Sequence, residues 1–131
     1  MTEIIRTEHL ENGLKIEFFD RSNRYYGDFH RVFIEAVCRI GLTEEIFAQA
    51  GVTDEQRRLA RERLGDEVVF SRNIEQMGVA GDCLEEVKRD LVDSFIRTTA
   101  PYLGKPDFPC RLLKRELEKA VQVRRFPSPG P

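Results

Sequence analysis

Polar and apolar residues alternate with a period of two along the first forty residues, the pattern of half-buried strands. Ile4 to Leu10 and Leu14 to Phe19 read as two strands. Between them, Asn12-Gly13 is the dipeptide most able to take positive φ in a tight hairpin turn. In the second strand Leu14, Ile16 and Phe18 share one face, and Lys15, Glu17 and Phe19 share the other. A third strand runs from about Phe29 to Ile40, with His30, Val32, Ile34, Ala36, Cys38 and Ile40 facing inward. These three strands predict an antiparallel meander.

The period then lengthens toward that of a helix. Thr43 caps a first short helix that Gly51 ends, and Thr53 with Gln56 has capping-box spacing before a second that ends at Gly65. In 67–77, Val68, Phe70 and Ile74 alternate as in a strand, whereas Phe70, Ile74 and Met77 also fit a helical stripe. The Val-Val-Phe start favours strand. Asp82 then caps a long helix whose stripe is Leu84, Val87, Leu91, Phe95, Thr98 and Tyr102, widened by Val92, Ile96 and Leu103. Pro101 is expected to kink or end it. Asp107 caps a last helix with Pro109 in its first turn and Leu113, Leu117, Ala120 and Val121 facing in.

The fold expected is therefore α+β. An antiparallel sheet of three or four strands carries two long C-terminal helices on one face, with a short helical pair inserted after the third strand. Residues 1–126 form one domain, and 127–131, with three prolines in the last six residues, form a disordered tail.

Composition narrows the classes. A chain of 131 residues can bury a core without a disulfide or metal staple. Charged residues are 34 % of the chain, yet the net charge is only −2, which disfavours a general nucleic-acid binder. Charge is uneven all the same: the middle of the chain is acidic and the segment from residue 105 is basic. No apolar run approaches the ~18 residues of a membrane helix. The N-terminal residues resemble neither a signal nor a transit peptide. Three cysteines, Cys38, Cys83 and Cys110, make no CxxC pair and suggest free thiols in a cytoplasmic protein.

The densest chemistry lies in FFDRSNRYYGDFHRV, residues 18–32. As a turn region it is well explained: Asp20, Ser22 and Asn23 can bond their own backbone, and Gly27-Asp28 is a second turn signal. As a ligand site it offers Arg24, Tyr25, Tyr26 and His30, with arginine to hold an anion and histidine or Asp28 to move a proton. The turn reading leads, because His30 falls on the inward alternation. No residue is assigned a catalytic role. His9, His30 and Cys38 lack the spacing of a zinc site, so neither a metal nor a cofactor is expected. Cys83 and Cys110 lie near helix N-termini, where the dipole lowers a thiol pKa, but the reading of both is structural.

The outer face of the sheet is more telling. Phe19, Phe33 and Val37 lie there among Lys15, Glu17, Arg31, Glu35 and Arg39, on the side that the long helices do not cover. Phe19, Arg31, Phe33 and Val37 are the candidate interface. The leading expectation is thus a small non-enzymatic binding or interaction module that self-associates or binds a protein partner. The alternative is a small-molecule or anion-binding protein, or an enzyme, built on the Arg24–His30 stretch. A weaker one is nucleic-acid contact through Arg111, Lys114, Arg115 and Lys119 of the basic last helix.

Overall fold

The computed structural model describes residues 3–125. The Pro-rich segment 127–131 lies outside them. In chain order the elements are β1 (Glu3–His9), β2 (Lys15–Asp20), β3 (Asn23–Tyr26), β4 (Phe29–Gly41), α1 (Glu44–Ala50), α2 (Asp54–Arg63), β5 (Glu67–Ala80), a 3₁₀ turn at Gly81–Cys83, α3 (Leu84–Leu103) and α4 (Phe108–Arg125). The fold is α+β with an antiparallel sheet, as the alternation predicts. The chain clusters into two compact units, one built from the segment ending at Arg39 with Val69–Lys105, the other from Ile40–Val68 with the segment that begins at Pro106.

The first unit holds the sheet and α3. Gly13, at φ 90°, closes the β1–β2 hairpin, and the Leu10 N–H donates to the Leu14 carbonyl at 2.8 Å. Asn12 does more than turn the chain. Its side-chain amide donates to the carbonyls of Leu103 and Lys105, both at 2.9 Å, satisfying acceptors that the end of α3 leaves open. β2 pairs β4 from Ile16 opposite Cys38 to Asp20 opposite Ile34. β3 continues that ladder in the same register, with Asn23 opposite Arg31 and Arg24 opposite His30.

β2 and β3 are therefore one strand interrupted at Arg21-Ser22, where a loop was expected. The ladder survives the break because Ser22 Oγ accepts from the Phe33 N–H at 3.0 Å, while the Arg21 N–H still reaches the Phe33 carbonyl at 2.8 Å. On the opposite side of β4 lies β5, the strand reading of 67–77, extended to Ala80. Arg31 pairs with Glu75 and Ser71 bonds Glu35, so numbers rise on β4 as they fall on β5 and the two are antiparallel.

The inner face carries Ile16, Phe18, Val32, Ile34, Ala36 and Cys38, all buried. α3 lies over it, and Phe95 meets Phe18 edge to face at 5.7 Å. Ion pairs fasten its rim: Arg6 to Asp93, and Lys88 Nζ to Asp20 at 2.8 Å. The helix runs to Leu103, two residues past Pro101, since a proline in the last turn forfeits only one helical bond. Its start also differs from expectation. The 3₁₀ turn occupies Gly81–Cys83, and Cys83, not Asp82, is the cap, with no side-chain bond to the helix.

Asp20 is held by burial and by charge in opposite senses. Burial raises its pKa, but the Lys88 ammonium and the Ser22 hydroxyl and N–H outweigh it, so the carboxyl sits below its usual value. A carboxylate with a depressed folded-state pKa stabilises the fold above its unfolded value, near 4, and that contribution is lost as pH falls through the folded one. Thermal melts should show stability declining below about pH 4, with a shallower decline in Asp20→Asn. At neutral pH that substitution should cost about 1–2 kcal/mol.

The second unit is helical. Thr43 caps α1 and Gly51 ends it at φ 67°. Thr53 and Gln56 form the full capping box of α2. α4 packs against both. The core of this unit is Phe47, Leu59, Ala60, Phe108, Leu112, Leu113 and Leu117, all buried. Arg57 and Arg61 flank the Phe47 ring and both pair with Glu44.

Candidate interaction surface

The outer sheet face is assembled from alternate residues of four strands. Pairing sets Ile4 opposite Phe19, Glu17 opposite Val37, and Phe19 opposite Glu35. The contacts to β5 add Ser71 and Glu75 to the same face, and by alternation Val69, Asn73 and Met77. Two residues beyond the Arg31–Glu75 pair, toward the tip of the β3–β4 hairpin, stand Phe29 and Met77. Tyr25 reaches across to the same place: its hydroxyl lies 3.8 Å from where a side chain on Gly78 would begin.

The expected interface residues do not contribute equally. Val37 is buried, so its side chain offers no contact area. Phe19 and Phe33 are half-buried. The Arg31 guanidinium stacks 4.2 Å above the Phe33 ring while bonding Glu75 at 2.9 Å. The apolar surface open to solvent is instead Ile4 at the β1 end and Tyr25, Phe29, Val69 and Met77, with Phe29 48 % and Met77 51 % exposed. Sequence reasoning placed Tyr25 in a ligand loop and gave no role in this face to Phe29, Val69 or Met77.

Four charged groups on this face, Arg21, Glu35, Arg31 and Glu75, are matched in place. Arg21 holds Glu35 at 2.8 Å, and Ser71 donates to the same carboxylate at 3.0 Å. Together with Arg31–Glu75 this gives two rows of opposite charges that cross the strands on either side of Phe33. Groups already paired lose less hydration energy when another surface approaches than free charges would. The face is thus apolar at the hairpin end and internally neutralised beside it.

The four ligand candidates share one hairpin but not one pocket. Arg24 and His30 are opposite each other and lie on the inner-face side. Tyr25 points to the outer face, and Tyr26 is 74 % exposed beside the turn. Asp28 serves as a tether. Its carboxylate and its carbonyl both accept from the Gly81 N–H, at 3.2 and 3.1 Å, and a side chain on Gly81 would meet that carboxylate at 2.4 Å. His30 Nε2 stands 4.0 Å from the other Asp28 oxygen. The hairpin tip is pinned to the turn before α3, a structural use of the chemistry in residues 18–32.

Two grooves lie elsewhere. One of about 510 Å³, between β1 and α3, is lined by Glu3, Arg6, Asp20, Glu85, Lys88 and Arg89 beside Ile4, Ile5 and Val92, and in it Lys88 pairs with Asp20 and Glu85. The other, about 460 Å³, is an apolar trough of the helical unit lined by Ala50, Val52, Leu59, Leu117 and Val121. Neither contains Arg24, Tyr25, Tyr26 or His30. His9 lies opposite Lys15 and His30 opposite Arg24, at distant points of the ladder. Among the described residues no group of His, Cys, Asp and Glu could hold a metal ion. Arg111, Lys114, Arg115 and Lys119 are all exposed on α4, with Asp107 paired to Arg111 and Glu116 to Lys119.

All three cysteines are free. Burial pushes the Cys38 thiol up to about 11. Cys83 is exposed, and the Asp82 charge beside it raises its pKa, against the lowering that a helix N-terminus alone would produce. No helix among the described residues is long and apolar enough to cross a membrane. No protein-family model, curated protein or solved structure matches this chain.

Proposed function

We propose that this chain is a small interaction module, not an enzyme, and that it self-associates through the outer face of its sheet. One observation carries the reading: the cluster of Tyr25, Phe29 and Met77, each 47–51 % exposed, gathered at one end of the sheet face opposite α3. Apolar surface concentrated in this way marks a contact site more often than chance exposure does. The neighbouring rows of matched Arg and Glu supply both signs, which a self-complementary two-fold contact requires. Its free thiols fit a reducing, cytoplasmic setting.

The test is a map of amide and methyl chemical shifts between dilute and concentrated solution. Shifts should concentrate at Tyr25, Phe29, Arg31, Glu75 and Met77. Changes confined to α4, or none at all, would contradict the proposal.

A further inference from the structure

We propose that Asn12 is a site of spontaneous amide hydrolysis, that its lock on the end of α3 holds the reaction in check, and that one such event breaks the lock for good. Among the asparagines of the chain, Asn12 alone precedes a glycine. Glycine has no Cβ to shield its backbone nitrogen, so that nitrogen can close on the preceding side-chain amide. The Gly13 nitrogen bonds to Asn12 Cγ, and the Cγ–Nδ2 bond breaks. The Gly13 N–H proton leaves with Nδ2 as ammonia, and a five-membered imide remains. Water then adds to either imide carbonyl and opens the ring. One product is aspartate with the ordinary backbone, and the other carries the backbone through the side-chain carbons. The balance is one water consumed and one ammonia released.

In the fold each reacting group is engaged elsewhere. The Gly13 N–H donates to the Leu10 carbonyl at 3.1 Å, so the nucleophile keeps its proton. Asn12 Oδ1 accepts from the Leu14 N–H at 3.1 Å, while Nδ2 donates to the Leu103 and Lys105 carbonyls, both at 2.9 Å. The amide is thus gripped on both sides and cannot turn toward its neighbour. Ring closure has to wait until these bonds let go together, which ties its rate to local opening of the hairpin from α3. Neither product rebuilds the lock. An aspartate oxygen in place of Nδ2 is an acceptor facing two acceptors, at the negative end of a helix where an anion is disfavoured. The rerouted backbone lengthens a turn that closes tightly between Leu10 and Leu14. A chain that opens often therefore loses the lock sooner, and each loss is permanent once ammonia departs.

The experiment holds the full wild-type chain at mildly alkaline pH, either folded in buffer or unfolded in guanidinium chloride. Mass spectrometry then follows the tryptic peptide 7–15. In guanidinium that peptide should gain the single mass unit of amide hydrolysis well before the peptides carrying Asn23 and Asn73, which precede Arg24 and Ile74. In buffer the gain should be at least about tenfold slower, as a site reached only through local opening requires. Equal rates in the two conditions would overturn the lock, and no gain in guanidinium would overturn the site. Asn12→Asp installs the ordinary product at once. It should melt several degrees below the wild type at neutral pH, and the deficit should narrow in acid, where a protonated carboxyl regains one donor. A variant as stable as the wild type, or a deficit unchanged by acid, would overturn the claim that the product cannot lock. The rate comparison is made on the wild-type chain and decides the site and its protection even where the variant does not fold.

Discussion

Phe18→Ala is expected to destabilise the protein by about 3–5 kcal/mol, the range for deleting a large buried aromatic side chain. Phe18 has no exposed surface and stands at the centre of the inner sheet face, paired with Arg6 on β1 and Ala36 on β4. Across from it, the Phe95 ring of α3 meets it at an interplanar angle of 86°. Truncation removes the buried ring and leaves a void. The small Ala36 beside it cannot fill that void, and Phe95 loses its edge-to-face partner. Since a domain of this size is stable by only about 5–15 kcal/mol, the loss is a large share of the whole. Urea denaturation should show a much lower midpoint with an unchanged slope. A cost below about 1 kcal/mol would mean that α3 does not rest on this face as described.

Some of this was legible because the residues had one consistent reading. Asn12-Gly13 could hardly serve except as a turn, and the inward series Val32 to Ile40 of β4 is buried throughout. Thr43, Thr53 and Gln56 cap the helices that their spacing announced. β3 was hidden for a physical reason. All four of its residues are exposed, so no alternation marks them, and Ser22 substitutes a side-chain acceptor for a backbone one at the break. β5 was ambiguous because an edge strand with few buried residues keeps only Val68, Phe70 and Val79 as a signal.

The contact surface was half legible. Alternation identified the outer face and named Phe19, Arg31 and Phe33. It could not show that Val37 is buried there, because covering depends on tertiary neighbours and not on period. Conversely, Phe29 and Met77 look like core residues in a sequence, where an apolar side chain carries no mark of being exposed. A clue did exist for Val69, which lies out of phase with Val68 and Phe70.

Phe29→Glu with Met77→Glu should abolish self-association while leaving the fold intact. Each side chain already keeps about half its surface in water, so charge there is tolerated in the monomer. Covering the remaining apolar surface contributes about 1 kcal/mol per residue. A carboxylate in its place must be desolvated without a partner, beside Glu75, which Arg31 already holds. Together these effects should weaken association by at least roughly 100-fold. Phe33→Glu is a poorer choice, because that ring is half-buried beneath Arg31 and the change would disturb folding as well. Sedimentation equilibrium of the wild-type chain and the double variant, over the same concentration series, decides the matter. The account predicts a wild-type mass that rises to that of a dimer and a folded variant that stays at the monomer mass. A wild-type monomer throughout, or a variant that dimerises as well as the wild type, would contradict it.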